Sequence, residues 1–317
     1  MISNKLIKPF NMNNGHITHS ITKDVVNMDN VMTMARHIIS RMDVKENTRN
    51  DYIYRIPNFI SFIKENGFSN DTFLDYKRYL DGCNQWGVST KNKYLIVARA
   101  FLKEMNRTGF LQVDITSNIK GFKQNTGHKR MGITDSEMEL IQERIQQVQD
   151  TRLKMILAFL SLQGLRQVEL IRLDVEDINL SGNTALIQGK GKDDKELIHL
   201  HPKVSKAIKE YVKAYRVKSG ALLPSTSNQN RGIRMSTRAL RGIVKTFLNS
   251  LEIDKSTHSF RHYFTTKLIE NYKGDLLQVK KYTRHKGIEM LQVYNDNVLT
   301  TDDLPRYYKV FNGLKFI

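Results

Sequence analysis

Apolar residues recur at helical spacing along most of this chain, in segments that end at glycine or at polar residues. In the first third, this spacing predicts four helices, over 28–42, 46–66, 70–80 and 90–107. Pro57 lies inside the second pattern, where its missing N–H predicts a kink or a break. Residues 28–115 are therefore predicted to form a compact helical domain, after an irregular and flexible stretch of residues 1–27.

The periodic pattern stops over residues 116–133, a polar stretch that we interpret as a linker. Thr134 and Glu137 then have the spacing of a capping box, which predicts that a second domain, 134–317, begins here. Its helices are predicted over 134–149, 151–163, 167–173, 203–218, 236–251, 258–270, 275–283 and 288–294.

Two short runs in the second domain, 183–188 and 196–200, have β-like composition. The glycine- and lysine-rich stretch between them predicts a hairpin with Lys190 near its turn. The predicted fold class is therefore mainly α with a small β-sheet (α+β), in two domains.

Composition excludes several classes of protein. No stretch of roughly 18 apolar residues is present, so we expect no membrane-spanning helix. The first 30 residues lack a secretory pattern, and the single cysteine, Cys83, excludes an internal disulfide and a cysteine-rich zinc site. These features are typical of a cytoplasmic protein.

Charge narrows the choice of partner. The net charge is +18 and the isoelectric point is near 9.8, and the excess is divided evenly between residues 1–130 and the remainder. Nucleic acid is the usual partner of such a protein, through phosphate contacts and counterion release. An anionic membrane is the competing partner, but no segment combines a large apolar face with a basic face. We expect two basic surfaces that grip one polyanion.

Three residues are suited to phosphoryl transfer. The guanidinium groups of Arg166 and Arg261 match the geometry of a phosphodiester and remain charged at any working pH. Tyr294 is a candidate nucleophile, although the chain contains 13 tyrosines. The alternative for Arg166 is a salt bridge to Glu169 or Asp174.

Lys190, His258 and His285 are candidates for proton transfer. Lys190 in a mobile turn is suited to protonate a leaving 5′ oxygen, and the histidines to assist or to bond the phosphate. The alternatives are a solvated turn lysine and two structural histidines.

The order of these residues resembles the active site of the tyrosine recombinase and phage integrase family. The resemblance rests on Gly164-Leu165-Arg166 with Glu169-Leu170, Gly189-Lys190-Gly191, His258-x-x-Arg261-His262, and His285 followed by Tyr294. It covers residues 134–317 and extends more weakly to 28–115, which is similar to the family's helical core-binding (SAM-like) domain. The short N-terminal stretch favours a recombinase of the Xer kind.

The resemblance implies a two-domain, C-shaped clamp on double-stranded DNA. It implies that Tyr294 forms a 3′-phosphotyrosine, that Arg166, Lys190, His258, Arg261 and His285 assist, and that no metal, ATP or other cofactor is needed. It also implies a tetramer on two sites. Segment 302–314 could dock into a neighbouring subunit, or pack on its own domain instead. One departure is that Thr283-Arg284 precedes His285, where the family usually has Leu-Gly.

Two sets of basic residues are candidates for further DNA contacts. They are Arg234, Arg238, Arg241 and Lys245 around one helix, and Lys91, Lys93 and Arg99 on the fourth N-terminal helix. The alternative is a solvated basic face.

Two other functions share the same residues. A type IB topoisomerase or a hairpin-forming telomere resolvase uses the same chemistry, although small size and motif order favour the recombinase. A DNA-binding protein that is non-catalytic, or that depends on a partner, is the alternative outside enzymes of this class.

Overall fold

The structure is a computed structural model, and it describes residues 28–124, 132–189, 191, 193–285 and 287–292, with the backbone alone for 28–30. The chain divides into two compact units, residues 1–126 and 127–317. This division falls inside the stretch predicted as the linker.

The first unit contains four helices: α1 (Met28–Ser40), α2 (Glu46–Asn66), α3 (Thr72–Gly82) and α4 (Val88–Arg107). Their apolar faces meet in one core that is rich in aromatic rings. Phe59 packs edge-on against Tyr76 with ring centroids 4.7 Å apart, and both side chains are buried. The predicted helical bundle is therefore confirmed in the described part of this unit.

Helix α2 continues through Pro57 without interruption, so the predicted break is wrong. Proline removes one main-chain donor and disfavours the helix interior. However, Ile56, Phe59 and Ile60 flank it and are buried in the core. Packing of this apolar face keeps the segment helical on both sides of the proline.

The second unit is mostly helical and contains one small sheet. In chain order its elements are α5 (Asp135–Gln147), α6 (Thr151–Leu162), α7 (Gln167–Arg172), a 3₁₀ turn (Val175–Asp177), β1 (Ile178–Asn179), β2 (Thr184–Gln188), β3 (Lys195–His199), α8 (Pro202–Tyr215), α9 (Thr237–Asn249), α10 (Thr257–Asn271) and α11 (Leu276–Thr283). Helix α5 begins at the predicted capping box: Thr134 N–H donates to the Glu137 carboxylate at 2.8 Å, and Glu137 N–H donates to Thr134 Oγ1 at 3.2 Å.

The sheet is antiparallel in the order β1-β2-β3, and Gln188 pairs with Lys195 next to the connection between β2 and β3. The predicted hairpin is therefore confirmed. Strand β1 was not predicted, because two residues are too short for an alternating pattern.

The core of the second unit is built around α6. Its side chains Met155, Ile156, Phe159 and Leu160 are fully buried. None of the helices in the described ranges has the length and apolar character required to cross a membrane.

Candidate active site

A glycine turn places Arg166 at the start of α7. Helix α6 ends at Leu162, and Gly164 has φ +54°, a backbone conformation that favours glycine. A Cβ atom added to Gly164 would lie 2.3 Å from the ring of Phe264 on α10. Glycine therefore allows this close approach, after which the chain turns into α7 with Arg166 as its N-terminal cap.

Arg166 is held by Glu169 through both its backbone and its side chain. The N–H group of Arg166 donates to Glu169 Oε2 at 2.9 Å, and Nη1 donates to Oε1 at 2.8 Å. The Arg166 side chain is 27% exposed, whereas that of Glu169 is 1% exposed. The ion pair with Glu169 that the sequence left as an alternative is present, and it leaves Arg166 open to solvent on one side.

Glu169 is ionised inside the protein. Burial alone would raise the pKa of its carboxyl, but the charge of Arg284 and the hydrogen bonds from Arg166 outweigh burial and lower the pKa. Removal of either arginine would leave a buried carboxylate with one cationic partner.

Arg261 lies beneath the site and is 1% exposed. Its Nη1 group donates to the main-chain oxygen of Gly164 at 2.6 Å, and Nη2 donates to the main-chain oxygen of Thr283. Nη2 also lies 3.4 Å from Nε2 of His285. One guanidinium on α10 thus joins the segment before Arg166 to the segment before His285.

His285 is buried directly after α11. Its Nδ1 lies 2.9 Å from Thr283 Oγ1. Because the guanidinium of Arg261 can only donate, Nε2 of His285 accepts, and Nδ1 carries the proton. Burial, followed by the charges of Arg261, Arg166, Arg284 and His258, lowers the pKa of His285 to about 3. The imidazole is therefore neutral at physiological pH.

His258 lies in the first turn of α10 and is exposed. The preceding residue, Thr257, is buried, and its hydroxyl lies 3.3 Å from Oε1 of Gln167 on α7. This contact joins the first turns of the two helices that carry His258 and Arg166. The described site therefore brings together four predicted residues: Arg166, His258, Arg261 and His285.

Lys190 lies outside the described residues, but both ends of its hairpin connection are described. Arg172 on α7 donates to the main-chain oxygen of Gly189 at 3.3 Å. Across the connection, the Gln188 side-chain amide donates to the main-chain oxygen of Asp193 at 3.1 Å. The connection that contains Lys190 is thus attached at its first residue, Gly189, to α7, the helix that Arg166 caps.

Tyr294 and segment 302–314 also lie outside the described residues. A helical turn begins at Ile288, as predicted, and Leu291 within it is fully buried. Leu291 packs with Ile269 on α10 and Val279 on α11. This small cluster anchors the chain three residues before Tyr294.

Arg284 belongs to the site. From the sequence, its bulk and charge beside His285 indicated only a difference from the family in local geometry or in DNA contacts. Its side chain is 7% exposed, and Nη2 lies 3.3 Å from Glu169 Oε2. The two residues are 115 positions apart, so no local pattern could have joined them.

Three of the predicted DNA contacts have hydrogen-bond partners inside their own unit. Lys91 is buried and donates to the main-chain oxygen of Asp81 at 2.6 Å. Arg99 donates to the main-chain oxygen of Ile119 and lies over the ring of Phe73.

Arg234 is the third, and it is bound within the second unit. It donates to the main-chain oxygens of Ile171 and Leu173, at 2.8 and 3.1 Å, and pairs with Asp174 at 2.5 Å. Arg234, like Lys91 and Arg99, thus supports the fold of its own unit.

The other four candidates reach the surface. Lys93, Arg238 and Arg241 are exposed, and Lys245 is half-buried and pairs with the exposed Asp254 at 2.5 Å. Across the described ranges, no three His, Cys, Asp or Glu side chains are grouped in a way that could hold a metal ion.

Comparison with known proteins identifies the family. The sequence profile of the Phage integrase family matches residues 132–299, more than half of the chain. The chain is 28% identical over 215 residues to the tyrosine recombinase slr0733 of Synechocystis sp., covering 66% of this chain and 68% of that protein. It is 24% identical over 286 residues to the tyrosine recombinase XerC of Bacillus subtilis, covering 84% and 92%.

The fold agrees with this assignment. A crystal structure of the XerH site-specific recombinase bound to a palindromic difH substrate is similar with a TM-score of 0.68 and 17% identity, over 90% of this chain and 84% of that one. Because the family profile matches more than half of its sequence, the chain belongs to the phage integrase family of tyrosine recombinases, and it is a recombinase enzyme.

Proposed function

We propose that this protein is a site-specific recombinase that cleaves and rejoins double-stranded DNA through a 3′-phosphotyrosine at Tyr294, without metal or ATP. The observation that carries the proposal is the contact of Arg261 with the main-chain oxygens of Gly164 and Thr283. It brings Arg166 and His285 to one place, and the motif order assigns these residues to phosphoryl transfer.

In this mechanism the scissile phosphate of the DNA first contacts Arg166, whose partly exposed guanidinium faces solvent. Arg261 adds a second positive charge from beneath and keeps His285 in place. Two cations stabilise the extra negative charge that develops on the non-bridging oxygens during attack. Because the pKa of His285 is about 3, this imidazole stays neutral and its charge does not change near neutral pH.

Each step of the proposed reaction conserves bonds and protons. The phenolic oxygen of Tyr294 bonds to phosphorus, the bond from phosphorus to the 5′ oxygen breaks, and Lys190 protonates the departing oxygen. The phenolic proton passes to His258, which is exposed at the first turn of α10. Attack by a 5′ hydroxyl of the partner strand reverses these steps. The phosphotyrosine conserves the bond energy, so no nucleotide is consumed.

DNA is the proposed partner because both units are basic and the similar XerH structure contains its difH substrate. We assign Lys93 to the surface of the first unit that meets DNA, and Arg238, Arg241 and Lys245 to that of the second. The two units would close on the duplex as a C-shaped clamp. Four copies would act on two sites, joined through segment 302–314.

The experiment uses nicked suicide duplexes built from inverted repeats in the DNA beside the coding sequence. Each duplex is incubated with the protein in EDTA and resolved on a denaturing gel. We expect a covalent protein–DNA band that disappears in Tyr294→Phe. The matched control is Tyr282→Phe, which alters an exposed tyrosine on α11 and should retain the band.

Three results would redirect the proposal. A band that forms with added magnesium but not in EDTA would indicate a metal-dependent reaction. Relaxation of plasmids that lack any recombination site would indicate a topoisomerase. Tight binding to a duplex with no covalent band would indicate a DNA-binding protein, or an enzyme that needs a partner.

A further inference from the structure

Arg284 occupies a backbone conformation that glycine adopts most readily. It caps the C-terminus of α11 with φ 56° and ψ 37°, and its N–H donates to the main-chain oxygen of Lys280 at 2.9 Å. Arg216 caps α8 in nearly the same conformation, φ 53° and ψ 37°, but its side chain is exposed. The two positions therefore differ in what the side chain contacts, while the backbone strain is matched.

The Arg284 side chain folds inward. Nη1 donates to the main-chain oxygen of Tyr282 at 2.9 Å, and Nη2 lies 3.5 Å from that of Gln163. The same Nη2 group lies 3.3 Å from Glu169 Oε2, and the guanidinium is almost completely buried. These contacts direct the guanidinium of Arg284 to acceptors of the protein itself, and its charged partner among them is the carboxylate of Glu169.

Glu169 thus has an arginine on each side. Oε1 accepts from Arg166 Nη1, and Oε2 accepts from both the Arg166 N–H and Arg284. With Arg166 alone, the carboxylate would neutralise the guanidinium that meets the phosphate. With both arginines, the group of three carries one net positive charge on its open side.

We infer that Arg284 is a positioning residue that shares Glu169, fixes the carboxylate in the orientation that holds Arg166, and leaves the charge of Arg166 available to the scissile phosphate. This inference rests on the proposed function, because the effect is exerted on strand cleavage. It assigns to Arg284 a role that none of the sequence motifs indicates.

The test compares four variants of the full chain: Arg284→Gln, Arg284→Gly, Arg284→Lys and Arg216→Gly. We expect Arg284→Gln and Arg284→Gly to slow single-turnover cleavage by about 10- to 100-fold, because a displaced arginine loses its alignment with the reacting atoms. DNA affinity, measured in the Tyr294→Phe background, should change by less than about twofold, since Arg284 is buried. Arg284→Lys keeps the charge and should recover part of the rate.

Arg216→Gly controls for relief of the backbone. It removes an arginine from the same left-handed conformation at an exposed cap, so cleavage should equal that of the original protein. If Arg284→Gly also cleaves at the original rate, the inference is wrong. Thermal unfolding is recorded for each variant, and Arg284→Lys keeps the test valid if the other substitutions prevent folding.

A double-mutant cycle asks whether Arg284 acts through Glu169. In the Glu169→Gln background, Arg284→Gln should slow cleavage by less than about threefold further, because the shared carboxylate charge is already absent. Independent, multiplicative losses would show that Arg284 acts by another route and would overturn the inference.

A second measurement does not depend on cleavage. The charged and titratable groups that face His285 are Arg261, Arg166, Arg284 and His258. Arg284→Gln should raise the pKa of the His285 ring, followed by NMR of isotope-labelled histidine, and Arg216→Gly should not. If the original protein forms no adduct but this shift occurs, the proposed function fails while the coupling of Arg284 to the site stands. If the original protein forms the adduct and both Arg284→Gln and Arg284→Gly cleave at the original rate, the inference fails alone.

Discussion

The guanidinium of Arg261 donates to the main-chain oxygen of Gly164 at 2.6 Å, and through this bond α10 fixes the turn that precedes Arg166. The same side chain donates to Thr283, just before His285. One guanidinium therefore aligns two segments of the candidate site that are far apart in sequence. A lysine ammonium, which is a point charge on a flexible side chain, cannot make both hydrogen bonds in that geometry.

Arg261→Lys should therefore impair both folding and cleavage. Hydrogen bonds from a charged donor contribute about 1.5–3 kcal/mol each, so we expect a loss of about 3 kcal/mol in the free energy of unfolding in urea. Single-turnover cleavage should fall by more than about 100-fold, since His285 loses its alignment. Arg238→Lys, at an exposed position, is the control and should change stability by less than about 0.5 kcal/mol.

Gly164→Ala should destabilise the protein for two reasons. The position has φ +54°, and the new methyl group would lie 2.3 Å from the ring of Phe264. We expect a loss of about 2–4 kcal/mol in the free energy of unfolding, from backbone strain and overpacking together. Gly220 has φ +70° with open space around it, so Gly220→Ala should show the strain alone, about 1–2 kcal/mol. Equal losses at the two sites would contradict the predicted clash.

His285 should make stability depend on pH in acid. Its pKa in the folded protein is about 3, below the ordinary value of 6.5, so the unfolded chain binds the proton more tightly. The contribution of His285 is fully present above pH 6.5 and is lost as pH falls from 6.5 towards 3. At pH 5 the loss is about 2 kcal/mol. In His285→Gln, the free energy of unfolding should lack this loss between pH 7 and pH 5. If it falls with pH as steeply as in the original protein, the prediction is wrong.

DNA affinity should separate exposed from buried cations. Lys93→Ala, Arg238→Ala and Arg241→Ala should each weaken binding and reduce the slope of log K against log salt by about one. Lys91→Met should leave that slope unchanged, because the ammonium of Lys91 is bonded to the main-chain oxygen of Asp81. A reduced slope in Lys91→Met would restore it to the set of DNA contacts.

Sequence patterns predicted elements that carry a local signal. The capping box at Thr134 and the hairpin around β2 and β3 are confirmed, because each depends on residues only a few positions apart. At Pro57 the sequence predicted a kink or a break, and the break is absent, since the local penalty is outweighed by the buried apolar face on both sides of the proline. Here tertiary packing decided the outcome.

The part of the site that the sequence did not predict depends on distant contacts. Lys91 and Arg234 look like any other basic side chains until the fold brings main-chain oxygens to them. Arg284 contacts Glu169, which is 115 residues away in sequence. The left-handed backbone conformation of Arg284 was not predicted either, because arginine, unlike glycine, does not indicate that conformation. The types of residue in the site follow from motifs, whereas their supporting contacts follow from the fold.

The segment around Leu291 is less resistant to local opening than the main core of the second unit. Leu291 packs with Ile269 and Val279 in a cluster separate from the large core around α6. Among the described residues this cluster contains three buried side chains, so we expect the segment to open at a lower free energy than the core. Amide hydrogens near 288–292 should then exchange faster than those of α6. Segment 288–292, which precedes the proposed nucleophile Tyr294, would then open while the segments that carry Arg166 and Arg261 stay folded. Local opening near Tyr294 would therefore leave the two arginines in place.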